Sequence, residues 1–125
     1  MPGPRRLLVV DDEIAIRDSF ASLSKRFGYP MEFHVNGARA LEAVALDPAA
    51  YGLVISDVRM PEMDGLSFVR SLRGLCPKIG VILMTGELSD DVREGAEAIG
   101  NVVFLEKPFQ LEKLFKETIP TLINR

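Results

Sequence analysis

The chain predicts an α/β fold, a parallel sheet built from five β–α repeats with helices on both faces, and three observations carry that prediction. Leu7-Leu8-Val9-Val10, Leu53-Val54-Ile55-Ser56, Val81-Ile82-Leu83-Met84 and Val102-Val103-Phe104-Leu105 are strand-length apolar runs without polar alternation, as strands covered on both faces require. Segments of helical period separate them. Each run also ends on polar groups: Val10-Asp11-Asp12-Glu13, Ser56-Asp57, Met84-Thr85-Gly86 and Glu106-Lys107-Pro108. In parallel strands those ends fall along one rim, so a single site gathers three carboxylates, a hydroxyl and an ammonium.

In chain order, the first strand leads to a stripe of Ile16, Phe20, Leu23 and Phe27, closed by Gly28 at the C′ position. Met31-Glu32-Phe33-His34-Val35 alternates in polarity and reads as an edge strand. Ala38, Leu41 and Ala45 mark the second helix, with Asn36 as its N-cap. After the Leu53–Ser56 run, the Asp64-Gly65 turn opens a third stripe of Leu66, Val69 and Leu72 that ends at Gly74. The fourth, Val92, Ala96 and Ile99, carries Gly95 inside it and is expected to be the least stable. Leu111, Leu114, Phe115 and Leu122 mark the fifth, which Pro120 should kink or stop near Ile119. Right-handed crossovers are expected throughout. With no repeat, linker or low-complexity segment, residues 1–125 read as one domain.

A net charge of −3 with acids and bases interspersed offers no basic field for a phosphate backbone, which argues against direct nucleic-acid binding. Cys76, the only cysteine, has no internal disulfide partner, fits a reducing cytosol, and beside Pro77 reads as structural. Arg5 and Arg6 precede an apolar stretch, Leu7–Val10, too short for a signal-peptide core or a membrane span. A soluble, cytoplasmic protein is expected. No Gly-x-Gly-x-x-Gly or Walker loop follows the first strand, so a nucleotide site is disfavoured.

Neighbours in a strand point to opposite faces, so Asp11 and Asp12 lean toward one pocket only where the strand ends and the backbone turns. Three carboxylates about 4 Å apart repel by about 4 kcal/mol per pair at an effective dielectric near 20, so cations must sit among them. Lys107 supplies one charge, and the hard oxygens of Asp11, Asp12 and Asp57 suit Mg²⁺. The plainer alternative for Asp11 and Glu13 is that they cap the first helix. Asp57 ends a fully apolar strand, where an unpaired carboxylate is costly, and reads as a nucleophile toward phosphorus. Lys107, the Thr85 hydroxyl and the cation then each meet one phosphoryl oxygen.

Taken together, these residues resemble the receiver domain of two-component response regulators, the CheY-like fold, from Leu7 to about Ile119. The signature is distributed over Asp11-Asp12, Asp57, Met60-Pro61, Met63-Asp64-Gly65, Thr85-Gly86 and Lys107-Pro108-Phe109. The resemblance implies a doubly wound, flavodoxin-like sheet of order 2-1-3-4-5. It implies Mg²⁺ (or Mn²⁺) on Asp12, Asp57 and the Arg59 backbone carbonyl, with Asp11 acting through water, and a cis Lys107-Pro108 peptide. Met60, Pro61 and Gly65 become scaffold, Gly65 relieving a tight turn. It further implies phosphoryl transfer to Asp57 from a sensor histidine kinase or histidine phosphotransfer protein, with slow self-catalysed loss. Such a domain is a signalling switch rather than an enzyme. Thr85 and Phe104 would then alter the face of the fourth helix, fifth strand and fifth helix, where a downstream protein docks and a homodimer is open. Phenylalanine at 104 lacks the hydroxyl of the commoner tyrosine. Arg59 and Glu87, two residues beyond Asp57 and Thr85, would flank the phosphorus; their opposite charges would pair across the mouth, hinder attacking water and lengthen the phosphorylated lifetime, or remain two solvated charges.

Other functions fit less well. A phosphatase like the haloacid dehalogenase group needs an aspartate where Arg59 stands, and an FMN binder of flavodoxin type meets an acidic first loop. A pseudo-receiver, which keeps the fold without phosphorylation, usually loses a carboxylate or the lysine, and here all are present. His34 lies mid-strand away from any second ligand and reads as structural or edge-exposed.

Overall fold

The computed structural model describes residues 5–60 and 62–123, so Met1–Pro4, Asn124, Arg125 and Pro61, the last assigned above to scaffold, lie outside the described residues. Five strands, β1 (Arg6–Val10), β2 (Met31–His34), β3 (Tyr51–Asp57), β4 (Gly80–Thr85) and β5 (Val102–Glu106), form one parallel sheet of order β2-β1-β3-β4-β5. Between them run α1 (Ile14–Phe27), α2 (Gly37–Leu46), α3 (Gly65–Leu75) and α4 (Asp90–Ile99). The last helix, α5, starts at Leu111–Lys113, passes through a π-wound stretch Leu114–Thr118, and closes as Ile119–Ile123.

Alternation along the buried strands sends side chains into two cores. Leu8, Val10, Val54 and Leu83 face Ala40, Val44, Phe68, Leu72 and Ala96 of α2, α3 and α4. Leu7, Val9, Ile55, Ile82 and Met84 face Phe20 of α1 and Leu114, Phe115 and Ile119 of α5. Phe115 lies 5.7 Å from the Phe20 ring and 6.0 Å from that of Phe27. The helices therefore divide two and three across the sheet, as a doubly wound fold requires.

Several boundaries differ from the sequence reading, each for a physical reason. The α2 helix buries Gly37, Ala40 and Val44 and exposes Ala38 and Ala45; among alanines and small residues, composition alone does not fix the phase. Its Asn36 cap forms as expected, accepting from the Arg39 N–H at 2.8 Å. The α3 helix passes Gly74 and ends at Leu75, and Phe68, as fully buried as Val69 and Leu72, stood outside the expected stripe. Pro120 does not stop α5. The turn before it widens to π geometry, with the Ile119 N–H bonding back to the Leu114 carbonyl, and the helix runs on to Ile123. Strand β5 forms the second edge, so Val103 is 37 % exposed although its run is as apolar as the central ones.

Gly95 marks a close approach: a Cβ there would sit 2.9 Å from Leu66 Cδ1 of α3. At the β2 edge, Glu32 is half-buried because it accepts from Tyr51 Oη at 2.6 Å and pairs with Arg6 at 2.8 Å. His34 Nε2 lies 2.8 Å from the same carboxylate, in a structural role. No helix of the described residues is long and apolar enough to cross a membrane.

Candidate functional site

The polar ends of β1, β3, β4 and β5 meet at one rim of the sheet, around a cleft of about 460 Å³ lined by Asp12, Glu13, Asp57, Arg59, Gly86, Glu87 and Lys107. The first of these ends is made by a turn. Strand β1 stops at Val10, the Asp11 N–H donates to the His34 carbonyl at 3.1 Å, and Asp11 Oδ1 accepts from the Glu13 N–H at 2.9 Å. This bend lets Asp11 stay buried while Asp12 remains exposed at the mouth, both beside Asp57. Glu13 occupies the N-cap position of α1, but its side chain makes no capping bond there. Ligand oxygens of Asp11, Asp12 and Asp57 lie within 4.8 Å of one another.

Asp57 ends β3 almost fully buried. Its Oδ1 accepts from the Arg59 N–H at 3.1 Å, and its Oδ2 accepts from Lys107 Nζ at 3.0 Å. Burial works against the ammonium of Lys107, yet the Asp57 bond and the charges of Asp57, Asp11 and Glu13 outweigh it and hold its pKa above the ordinary value. Asp11 has no such partner. Burial first, with the Asp57 charge adding to it, pushes its carboxyl up to about 6, against the Glu13 N–H and Lys107, which pull it down. Its Oδ2 is buried without a hydrogen-bond partner, one of two such side-chain atoms among the described residues. A hydrated hard divalent cation fits this donor set: one of its waters would satisfy that oxygen, and its charge would offset the carboxylate repulsion that a single lysine leaves.

The loop behind Asp57 depends on a glycine at the turn into α3. Gly65 opens α3 at a negative φ; what it supplies is space, since a Cβ would lie 2.8 Å from both the Asp57 carbonyl and Val58 Cα. The positive φ in this loop belongs to Glu62, at 69°. Met63 Sδ abuts Gly37 at the start of α2, so the loop is keyed to a neighbouring helix.

At the end of β4, the buried Thr85 hydroxyl is turned to its own loop. It donates to the Glu87 carbonyl at 2.8 Å and accepts from the Glu87 N–H at 3.2 Å. Strand β5 pairs with β4 so that Glu106 lies opposite Thr85 and Phe104 opposite Leu83, which puts Phe104 one pleat below Thr85 on the same face. Phe104 is half-buried against the core under α4. The Lys107 N–H donates to the Thr85 carbonyl at 2.7 Å, and Lys107-Pro108 is cis, as expected. Arg59 and Glu87 share the cleft lining as expected, but the ion pair expected across the mouth is not formed: among the described residues neither is paired with the other. Sequence reasoning placed Thr85-Gly86 at this rim but missed the Arg59 N–H on Asp57, for which the turn after the strand was the available signal.

Comparison with known proteins agrees with this geometry. The family described as the response regulator receiver domain matches residues 7–119. Response regulator MprA of Mycolicibacterium vanbaalenii is 38 % identical over 112 residues, 89 % of this chain and 47 % of that protein, so the chain spans about half the length of this curated relative. The structure of the Vibrio cholerae chemotaxis protein CheY4 superposes with a TM-score of 0.84 at 31 % identity, covering 96 % of this chain and 99 % of that one. The receiver domain of sensor histidine kinase PA1611 from Pseudomonas aeruginosa, solved with magnesium coordinated in its active-site cleft, has the same fold: TM-score 0.83, 21 % identity, 98 % of this chain and all of that one. A doubly wound sheet whose strand ends collect three carboxylates and a lysine, matched along 7–119 by the family's own pattern, places this chain among the response regulator receiver domains of two-component signalling systems.

Proposed function

We propose that this chain is a phosphoaccepting switch whose acceptor is Asp57. The observation that carries the reading is the convergence on one cleft of Asp11, Asp12 and Asp57, with Lys107 bonded to Asp57 and a buried Asp11 oxygen left without a partner. The donor is a phosphohistidine on a sensor kinase or a phosphotransfer protein, in the cytoplasm. An Asp57 oxygen forms the new bond to phosphorus as the phosphorus–nitrogen bond to the imidazole breaks, and the electron pair leaves on the ring nitrogen.

Asp12, Asp57 and the Arg59 carbonyl, with Asp11 through water, would hold Mg²⁺ or Mn²⁺. Bound there, the ion supplies positive charge for the phosphoryl oxygens. Lys107 meets a second oxygen, giving up its bond to Asp57 for one to the incoming group. Thr85 meets the third, which requires its hydroxyl to leave the Glu87 main chain. That release draws the start of α4 inward and opens space below it on the same face, where Phe104 lies. The surface of α4, β5 and α5 changes in consequence and is read by a downstream protein or a second copy of the chain.

Arg59 and Glu87 stand at the mouth and set how readily water reaches the phosphorus. They form no standing ion pair, so their effect on lifetime comes from the positions they occupy.

Incubation with Mg²⁺ and acetyl phosphate, followed by intact-mass measurement, tests the reading. It predicts one phosphoryl adduct per chain, absent in Asp57→Asn. Turnover of the donor without an adduct would indicate a phosphatase, and no reaction at all would indicate an interaction module that keeps only the fold.

A further inference from the structure

Ser56 precedes the acceptor and points to the opposite face of β3, into the core that holds Val54 and Val58. It is fully buried. Its Oγ donates to the main-chain carbonyl of Asp57 at 3.0 Å and lies 3.9 Å from Met60 Sδ. A hydroxyl in an apolar core needs a reason, and the end of β1 provides one. Strand β1 pairs with β3 only as far as Val10 opposite Ser56, because the chain bends at Asp11 to bring its carboxylates inward.

A longer β1 would have offered the Asp57 carbonyl a main-chain N–H. The bend that assembles the acidic cluster removes that donor. Among the described residues, the donor the carbonyl has is the Ser56 hydroxyl. A buried carbonyl without one is costly. Gly65 confines the same oxygen from another side, since even a Cβ there would come within 2.8 Å of it.

We propose that Ser56 is a positioning residue for the acceptor. By holding the Asp57 carbonyl, it fixes the rotation of that peptide and hence the direction in which the Asp57 carboxylate leaves the backbone toward the Arg59 N–H and Lys107. The inference rests on Asp57 being the acceptor, as proposed above. Two measurements test it.

In the first, phosphorylation by acetyl phosphate is followed at saturating Mg²⁺, well below the unfolding temperature. Ser56→Ala lowers the rate constant at saturating donor about tenfold, the net worth of one hydrogen bond, and leaves the half-saturating donor concentration unchanged. Ser56→Thr, which keeps the hydroxyl, recovers most of the rate. In the second, without metal or donor, the Arg59 amide proton resonance moves upfield in Ser56→Ala and returns in Ser56→Thr, reporting the bond to Asp57 Oδ1.

A purely structural serine would lower thermal stability but leave both the rate constant of the folded protein and the Arg59 resonance unchanged, which overturns the inference. Failure of the wild-type chain to take a phosphoryl group overturns the reading of the site instead. The Arg59 resonance then still decides whether Ser56 positions the carboxylate.

Discussion

Replacing Asp11 with asparagine should make the metal-free protein more stable. Asp11 is fully buried, its Oδ2 has no partner, and its carboxyl is pushed from 3.8 up to about 6 by burial and by the Asp57 charge. A carboxyl that binds its proton more tightly when folded contributes a penalty that is absent below its unfolded pKa. The penalty grows through the window between the two values and is complete above the folded one. From 3.8 to about 6, at 1.36 kcal/mol for each pH unit, the penalty at pH 7 is about 3 kcal/mol. Asparagine keeps the oxygen that accepts from the Glu13 N–H and removes the charge. For a chain of this size that gain raises Tm by about 10 °C. The assay is urea or thermal unfolding in chelator at a series of pH values. The gain should be full at pH 7, fall to about half near pH 5, and vanish below pH 4. Added Mg²⁺ should stabilise the wild type more than the variant. No gain at pH 7, or a gain that does not vary with pH, refutes the reasoning.

Three further outcomes follow from other parts of the molecule. Gly65→Ala forces a methyl against the Asp57 carbonyl and Val58 Cα, both backbone atoms that cannot swing aside; it should cost about 1–3 kcal/mol in unfolding free energy and slow phosphorylation. Tyr51→Phe removes the 2.6 Å bond to Glu32 and should cost about 1.5–3 kcal/mol at neutral pH. Burial pushes Glu32 up, but the Tyr51 and His34 bonds and the Arg6 charge more than offset it, so its pKa lies below the ordinary value. The stabilisation is therefore present above the unfolded carboxyl pKa and fades as pH falls through the folded one; a Tyr51→Phe cost that grows in acid contradicts this. Arg59→Ala should shorten the phosphorylated lifetime several-fold by opening the mouth to water, and an unchanged dephosphorylation rate would show that Arg59 is only a solvated charge.

Most of the architecture was legible because it follows from local pattern. Unbroken apolar runs marked β1, β3 and β4, and the polar residues that end them marked the rim where the site forms. What escaped depends on neighbours distant in sequence. The exposure of β5 follows from its place at the sheet edge, which its composition does not encode. The passage of α5 through Pro120 depends on a π turn upstream, a backbone adjustment invisible to a rule about single residues. Gly65 could be read as relieving a tight turn, yet only the approach of Asp57 and Val58 shows that the relief it gives is space for those backbone atoms. Likewise the carboxylates that could hold a cation were readable from Asp11, Asp12 and Asp57, whereas the turning of Thr85 toward Glu87 is set by the path of the loop after β4.

The most direct test of the central claim locates the phosphoryl group. After reaction with Mg²⁺ and acetyl phosphate, borohydride reduction converts an aspartyl phosphate to homoserine, which peptide mass mapping can place in the chain. The account predicts homoserine at position 57 alone, lost when Mg²⁺ is chelated. Modification at another residue, or at 57 without any need for a divalent cation, would contradict it.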